Sequence, residues 1–327
     1  MDEQSTGESA MVRPFRFGVL GESIRTGTEL TDTARRAEDL GYSTLLIRDH
    51  LVAEPFGHQF APLVALAAAA AVTTTLRIGT LVLANDYRHP ALLAKEAATL
   101  DVLSNGRLEL GLGAGWLRDE YEQAGIAFDP PGVRVSRLAE SLHALKELFS
   151  GKPTTVHGDH YEITDLAGFP VPVQQPHPPI LVGAGSRRML GLAGQEADIV
   201  GILPKALPSG TISDDLSERT AAATAQKVAW IRAGAGDRFE EIELSMMISP
   251  LIAERQDDVA AQFAAARGWG PSAAVHVSDM PSAFVGPVQR IVDLMAERRE
   301  RYGFSYYVVS DRALAAFAPV VTSLAGR

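Results

Sequence analysis

The sequence predicts an α/β protein, a TIM-type (β/α)8 barrel with insertion segments at its C-terminal rim. Eight short apolar runs are each followed by a helix-like segment. The runs are apolar throughout rather than alternating, which marks strands buried on both faces of a parallel sheet. Eight parallel strands also close a barrel. A chain of 327 residues can bury a large core, and a barrel of this length is one domain, expected over 14–327.

The first unit is Arg16 to Leu20 and a helix whose Leu30, Ala34, Ala37 and Leu40 share one face, capped by Thr28 and ended at Gly41. The second starts at Thr44 to Ile47, passes through Asp49-His50 and resumes as a helix with Pro62 in its first turn. Leu76 to Leu83 is the third strand, and Pro90 opens a helix that turns Leu93, Ala97 and Leu100 to the core. The fourth strand is Leu108 to Leu112. Ile180 to Val182, Asp198 to Ile202, Ile242 to Ile248 and Phe304 to Val309 complete the set. After the fourth strand, Val135 to Phe149 reads as a helix and Thr154 to Ile163 as a hairpin; Leu203 to Asp214 and Gly268 to Ser282 read as loops. Insertions after barrel strands build pockets and lids.

Composition narrows the function. A net charge of −10 argues against a nucleic-acid surface, so an anionic ligand must be held locally. There is no cysteine, which removes disulfides, thiolate nucleophiles and cysteine-ligated metals; redox work needs a bound cofactor. The cytoplasm is the compartment this fits. Met1 to Arg13 are polar, lack the apolar run of a signal peptide and read as a disordered arm. The most apolar stretch, Ala61 to Val72, is a buried helix, about half the ~20 residues that span a bilayer.

Four motifs stand at strand ends. Ser104 to Trp116 places a helix stop, a buried strand and the glycine-rich Gly111-Leu-Gly113-Ala114-Gly115 in thirteen residues. The spacing of its third glycine and its place in a fourth unit exclude a Rossmann turn. The glycines admit either a planar ring or close barrel packing. Asp49-His50 follows the second strand, where a histidine can exchange a proton near neutral pH or serve as a hydrogen-bonded structural residue. In Gly183-Ala184-Gly185-Ser186, the free amides, the Ser186 hydroxyl and a helix N-terminus suit a phosphate, with Arg187 or Arg188 adding charge; the alternative is a plain turn with solvated arginines. Asn85 is placed to hydrogen-bond a heterocycle, and His89 before Pro90 to cap a turn. His157 and His160 lack a third convergent partner, so no metal is expected.

These motifs, with Arg35-Arg-Ala-Glu-Asp-Leu-Gly-Tyr42 and Arg88-His-Pro90, make the chain resemble the luciferase-like flavin and deazaflavin oxidoreductases, and among them the F420 branch. The resemblance runs from Arg16 to Leu314. It implies hydride transfer between the deazaflavin C5 and a small organic substrate, or, as the alternative, an FMN-dependent monooxygenase fed reduced flavin by a partner reductase. It implies a ring lying across the barrel mouth, a bulge with a cis peptide joining Leu81 and Val82, a catalytic Asp49-His50 pair and a phosphate turn at Gly183 to Ser186. A homodimer is also implied. Sugar-phosphate dehydrogenases of the F420 group carry a glutamate where this chain has Trp116, so sugar-phosphate oxidation is not expected, and His50, Asp119 and Glu120 stand as candidate proton donors.

Overall fold

The first strand, β1 (Arg16–Leu20), and the unit after it, α1 (Gly27–Asp39) and β2 (Thr44–Ile47), begin the predicted alternation in a computed structural model that describes residues 13–253, 256–270 and 273–327. Then come α2 (Pro62–Ala70), β3 (Arg77–Thr80), β4 (Leu83–Ala84), α3 (Pro90–Leu103), β5 (Leu108–Gly113), α4 (Arg118–Ala124) and α5 (Pro131–Phe149). The hairpin β6 (Pro153–His157) and β7 (Glu162–Ala167) precedes β8 (Ile180–Ala184), α6 (Arg187–Glu196), β9 (Ile199–Ile202), α7 (Ala221–Ala235) and β10 (Glu243–Met247). The remaining elements are β11 (Ser249–Ile252), α8 (Gln256–Ala266), α9 (Ala274–Val277), β12 (Ala283–Gly286), α10 (Val288–Tyr302), β13 (Phe304–Ser310) and α11 (Leu314–Leu324).

The strands close in the order β1, β2, β3 with β4, β5, β8, β9, β10 and β13, which returns to β1, all parallel. This is the eight-stave barrel the sequence predicts, with β3 and β4 forming one interrupted stave. Of the expected N-terminal arm, residues 1–12 lie outside the described residues, and Arg13 donates to the Glu240 carbonyl. Among the described residues no helix is long and apolar enough to cross a membrane.

The interruption is a one-residue bulge. β3 pairs with β5 through Ile78 and Leu108, then Gly79 and Glu109, while β4 pairs through Leu83 and Leu112, then Ala84 and Gly113. Residues 80–82 thus stand opposite 110–111, three against two. The Thr80 hydroxyl bridges the gap, accepting from the Gly111 amide and donating to the Gly111 carbonyl, each at 2.8 Å. A Cβ at position 111 would lie 1.9 Å from the Thr80 carbonyl oxygen, which requires glycine there. The Leu81–Val82 peptide in the bulge is cis, at the position the resemblance implies.

Local chemistry corrects one cap and explains half of the longest motif. Thr26, not Thr28, caps α1: its hydroxyl accepts from the Glu29 amide and the Glu29 carboxylate accepts from the Thr26 amide. A capping box needs an acid three residues on; Thr26 has Glu29 and Thr28 has Thr31. Ser104-Asn-Gly-Arg107 is structural. Asn105 and Gly106 turn left-handed to stop α3, and Arg107 donates five hydrogen bonds to Ser104, Thr73, Leu76 and Ala70.

The strands are not apolar throughout, contrary to expectation. At the N-terminal end of the barrel, Glu109 is buried and accepts from Arg16 at 2.5 Å, Arg77 at 2.6 Å and the Tyr306 hydroxyl at 3.2 Å, while Arg16 also reaches Glu243. Charges fit inside a barrel only as a closed, mutually satisfied set. Above them Leu20, Leu46, Leu181 and Val308 fill the interior, with Leu81, Val82 and Met247 packed on that cluster. Burial pushes the Glu109 pKa up, but Arg16 and Arg77 outweigh it and hold the carboxyl below its ordinary value. A depressed carboxyl contributes stability that is present above its unfolded pKa of about 4.3 and lost as pH falls. Glu109→Gln is therefore expected to cost about 3 kcal/mol in urea unfolding at pH 7, with the gap to wild type narrowing below about pH 4; an unchanged midpoint at pH 7 would contradict the closed-set reading.

Candidate active site

The C-terminal ends of the staves open on a cavity of about 260 Å³. Its wall takes Leu20 from β1, Asp49 and His50 after β2, Leu81 and Val82 from the bulge, Gly113 to Trp116 after β5, and Gly183 to Ser186 after β8. The Leu203–Asp214 insertion supplies Leu203, Pro204, Ala206 and Ile212. Arg118 of α4 holds that insertion in place by donating to the carbonyls of Pro208 and Ser209. Among the described residues of the Gly268–Ser282 segment none lines the cavity; Trp269 instead donates to Asp214 and buttresses the insertion.

Asp49 and His50, adjacent on extended backbone, point apart. The Asp49 carboxylate is buried, pairs with Arg88 at 2.6 and 3.1 Å and accepts the Ala84 amide at 3.1 Å, which ties the second stave to the end of the third. His50 turns to α4, where its Nδ1 lies 3.2 and 3.3 Å from the two oxygens of Glu120. Glu120 also accepts the Leu51 amide at 2.9 Å. Burial raises the Glu120 pKa, but the hydrogen bonds from His50 and Leu51 and the nearby Tyr87 outweigh it and keep the carboxyl below its ordinary value. An ionised Glu120 fixes Nδ1 as the proton-bearing nitrogen, and Nε2 of this cavity-lining ring has no hydrogen-bond partner among the described residues. Phe56 lies 4.6 Å from the His50 ring, and Trp116 meets both rings edge-on at 6.0 Å. Asp119 is exposed on α4 and turns away from the cavity.

The glycines have a packing role. A Cβ on Gly113 would come within 2.8 Å of a Val82 methyl, and one on Gly183 within 3.2 Å; on Gly115 it would strike the Tyr121 hydroxyl, and on Gly185 the Pro204 carbonyl. The bulge and the insertion occupy the space that side chains there would need. The same residues, with Ala114 and Ala184, still present bare backbone to the cavity.

Two sequence assignments move. Asn85 is buried and does not line the cavity; its Nδ2 donates to Tyr161 of the hairpin at 3.1 Å, because the stave ends at Ala84 and the next turn carries the side chain outward. Arg187 is exposed at the first position of α6, with Arg188, on an adjoining open groove beside Ser136 and Glu140. Ser186 caps α6, its hydroxyl accepting from the Met189 amide at 3.5 Å. His89 caps α3 as expected, accepting from Ala91. His157 pairs with Glu162, and His160 sits 2.8 Å from the Ser136 hydroxyl.

Sequence reasoning missed Phe56, Met189 and Arg134, all on the cavity wall. Arg134 sits in the first turn of α5, which the sequence reading began only at Val135; no local motif marks it. It is buried, 3% exposed, stacked on Phe128 at 4.0 Å, and its Nε and Nη1 have no hydrogen-bond partner among the described residues.

Comparison with known proteins agrees with this geometry. The model of the luciferase-like monooxygenase family matches residues 8–302. An F420-dependent glucose-6-phosphate dehydrogenase of Microbacterium testaceum is 34% identical over 194 residues, 58% of this chain and 56% of that one. An FMNH2-dependent dimethylsulfone monooxygenase of Pseudomonas putida is 32% identical over 128 residues, 39% of this chain and 35% of that one. The chain thus spans little more than half the length of the curated dehydrogenase it matches. The coenzyme F420-dependent tetrahydromethanopterin reductase of Methanopyrus kandleri superposes with a TM-score of 0.74 at 18% identity, over 95% of this chain and 99% of that one, a likeness of fold. With a family model covering nearly the whole sequence and the barrel, bulge and mouth cavity in place, the chain belongs to the luciferase-like monooxygenase family.

Proposed function

We propose that this protein is an F420-dependent oxidoreductase that moves a hydride between the deazaflavin C5 and a small organic substrate. The observation that carries the reading is His50, fixed at Nδ1 by an ionised Glu120 and open at Nε2 on a mostly apolar cavity. A hydride transfer to or from a carbonyl, imine or conjugated double bond needs one proton exchanged beside it, and an oriented imidazole serves that role. Reduction of the substrate is the preferred direction.

The residues fit a planar tricyclic group. Backbone at Gly113 to Gly115 and Gly183, with Leu81 and Val82 of the bulge, offers a flat apolar surface of the kind a ring system packs against. When bound, the cofactor supplies the hydride chemistry. The chain's own residues then orient, exclude water and hold the proton. His50 Nε2 gives or takes it, and Glu120 stabilises the imidazolium that forms, acting as a positioning base and not as the acid, since its carboxyl is kept ionised. Asp49, committed to Arg88 and the Ala84 amide, positions the strand ends. Trp116 and Phe56 wall the histidine with aromatic carbon, which favours an apolar substrate over a sugar phosphate.

A monooxygenase using reduced FMN, with a reductase partner, is the second reading, supported by the similarity to the dimethylsulfone enzyme. A homodimer belongs to either reading; Val64, Leu92 and Leu103, exposed on α2 and α3, support it.

Fluorescence titration is expected to give tighter binding of F420 than of FMN. Tighter FMN binding, with oxygen consumption in the presence of reduced FMN, would favour the second reading. With a substrate in hand, His50→Ala is expected to slow cofactor oxidation in stopped flow by about 10²- to 10⁴-fold at little cost in cofactor affinity. Glu120→Gln, which removes the charge but keeps the shape, is expected to lose less. An unchanged hydride-transfer rate in His50→Ala would sink the assignment.

A further inference from the structure

Among the described residues three arginines are buried, and two of them donate to acceptors of the protein. Arg107 makes its five bonds to carbonyls and a hydroxyl, and Arg298 donates to the Pro281 and Ala283 carbonyls, each at 2.9 Å. Arg134, the most buried of the three, leaves Nε and Nη1 without a partner and has only the Tyr121 hydroxyl beside it. The neighbouring Asp86 is already taken by Arg137 at 2.9 Å and the Tyr121 hydroxyl at 3.1 Å, so no acid is left for Arg134. Burial, the largest influence, holds its pKa below the ordinary arginine value despite Tyr121 and Asp86. An unpaired charge out of water is costly, and proteins keep one where a ligand completes it.

The guanidinium lines the same cavity as Gly185, Ser186 and Met189, where α6 begins. The first amides of a helix have no partner within it, and the aligned peptide dipoles favour an anion there. A buried cation with unpartnered nitrogens and a ten-residue helix aimed by its N-terminus thus share one wall. Arg187 and Arg188, the cations nearest in sequence, point to the outer groove.

We propose that Arg134, and not Arg187 or Arg188, is the cation that completes the phosphate turn at Gly183 to Ser186 and takes the phosphate of the bound cofactor, an inference that rests on the function proposed above. Arg134 supplies the charge-assisted hydrogen bonds, and the α6 amides and Ser186 complete the set. Arg187 contributes at most a screened charge from outside the cavity.

The test pairs ligands with and without the phosphate: FMN against riboflavin, and F420 against its phosphate-free deazaflavin nucleoside. Arg134→Met keeps the packing on Phe128 and removes the charge. It is expected to weaken the phosphate-bearing member of each pair about 10- to 100-fold and to leave the phosphate-free member within about two-fold. Arg134→Lys is expected to fall between. The melting temperature of the ligand-free Arg134→Met protein is expected to match or exceed wild type, because an unsatisfied buried charge has been removed. Equal losses for both members, no loss in either, or failure of both variants to fold would overturn the site. Should wild type bind neither cofactor, the proposed function falls. Inorganic phosphate then still decides the anion site, which requires it to raise the melting temperature of wild type and not of Arg134→Met.

Discussion

The barrel mouth depends on how one surplus residue is accommodated between the third and fourth staves. Three residues face two across the seam, and the Thr80 hydroxyl takes over the two backbone bonds that register would otherwise lose at Gly111. The surplus is pushed inward as Leu81 and Val82, and Val82 then claims the space above Gly113 and Gly183. Glycines on two staves thus answer a single requirement. Bare backbone at the cavity is the consequence of packing, and a ligand meets a surface already shaped by the protein's own side chains.

Charge inside this fold follows one rule with one exception. At the barrel floor Glu109 is balanced by Arg16 and Arg77, and at the rim Asp49 by Arg88 and Asp86 by Arg137. Glu120 is balanced by hydrogen bonds from His50 and the Leu51 amide. Each pairing also joins neighbouring elements, so the charges fix the strand ends and the helices that follow them. Among the described residues Arg134 alone of the buried arginines keeps nitrogens without a partner, on the wall that also carries His50. Under the function and the anion site proposed above, one fixed proton carrier and one cation on the same wall orient the cofactor before any chemistry begins.

Much of this was legible in the sequence, and what was not has identifiable causes. Strand and helix order followed from apolar runs and from Pro62, Pro90 and Gly41, because those signals are local. His50, Glu120, the glycine runs and Ser186 converge on one cavity because each sits at a strand end or the turn after it, which a barrel gathers at its mouth. The floor was not legible: Glu109, Arg16 and Arg77 are distant in sequence, and a charged residue within an apolar run carries no sign of its partner. Asn85 and Arg187 were misplaced for a related reason. Proximity to a strand end does not say where a side chain turns once the strand has stopped. Thr26 was readable, since Glu29 three residues on marks the capping box.

Under the function proposed above, the aromatic wall turns the site away from a sugar phosphate. Where a carboxylate after the fourth-strand glycines would hydrogen-bond a hydroxylated substrate, Trp116 presents a ring edge to His50 and Phe56. A polar substrate there would leave its hydroxyls without partners, and each unsatisfied group costs on the order of 1–3 kcal/mol. Under the proposed function an apolar carbonyl or imine meets no such cost, and the single polar atom it turns to the wall, the oxygen or nitrogen that receives the proton, meets His50 Nε2. Under the proposed function the tryptophan removes one acid from this wall and leaves the proton to His50, which the ionised Glu120 behind it orients.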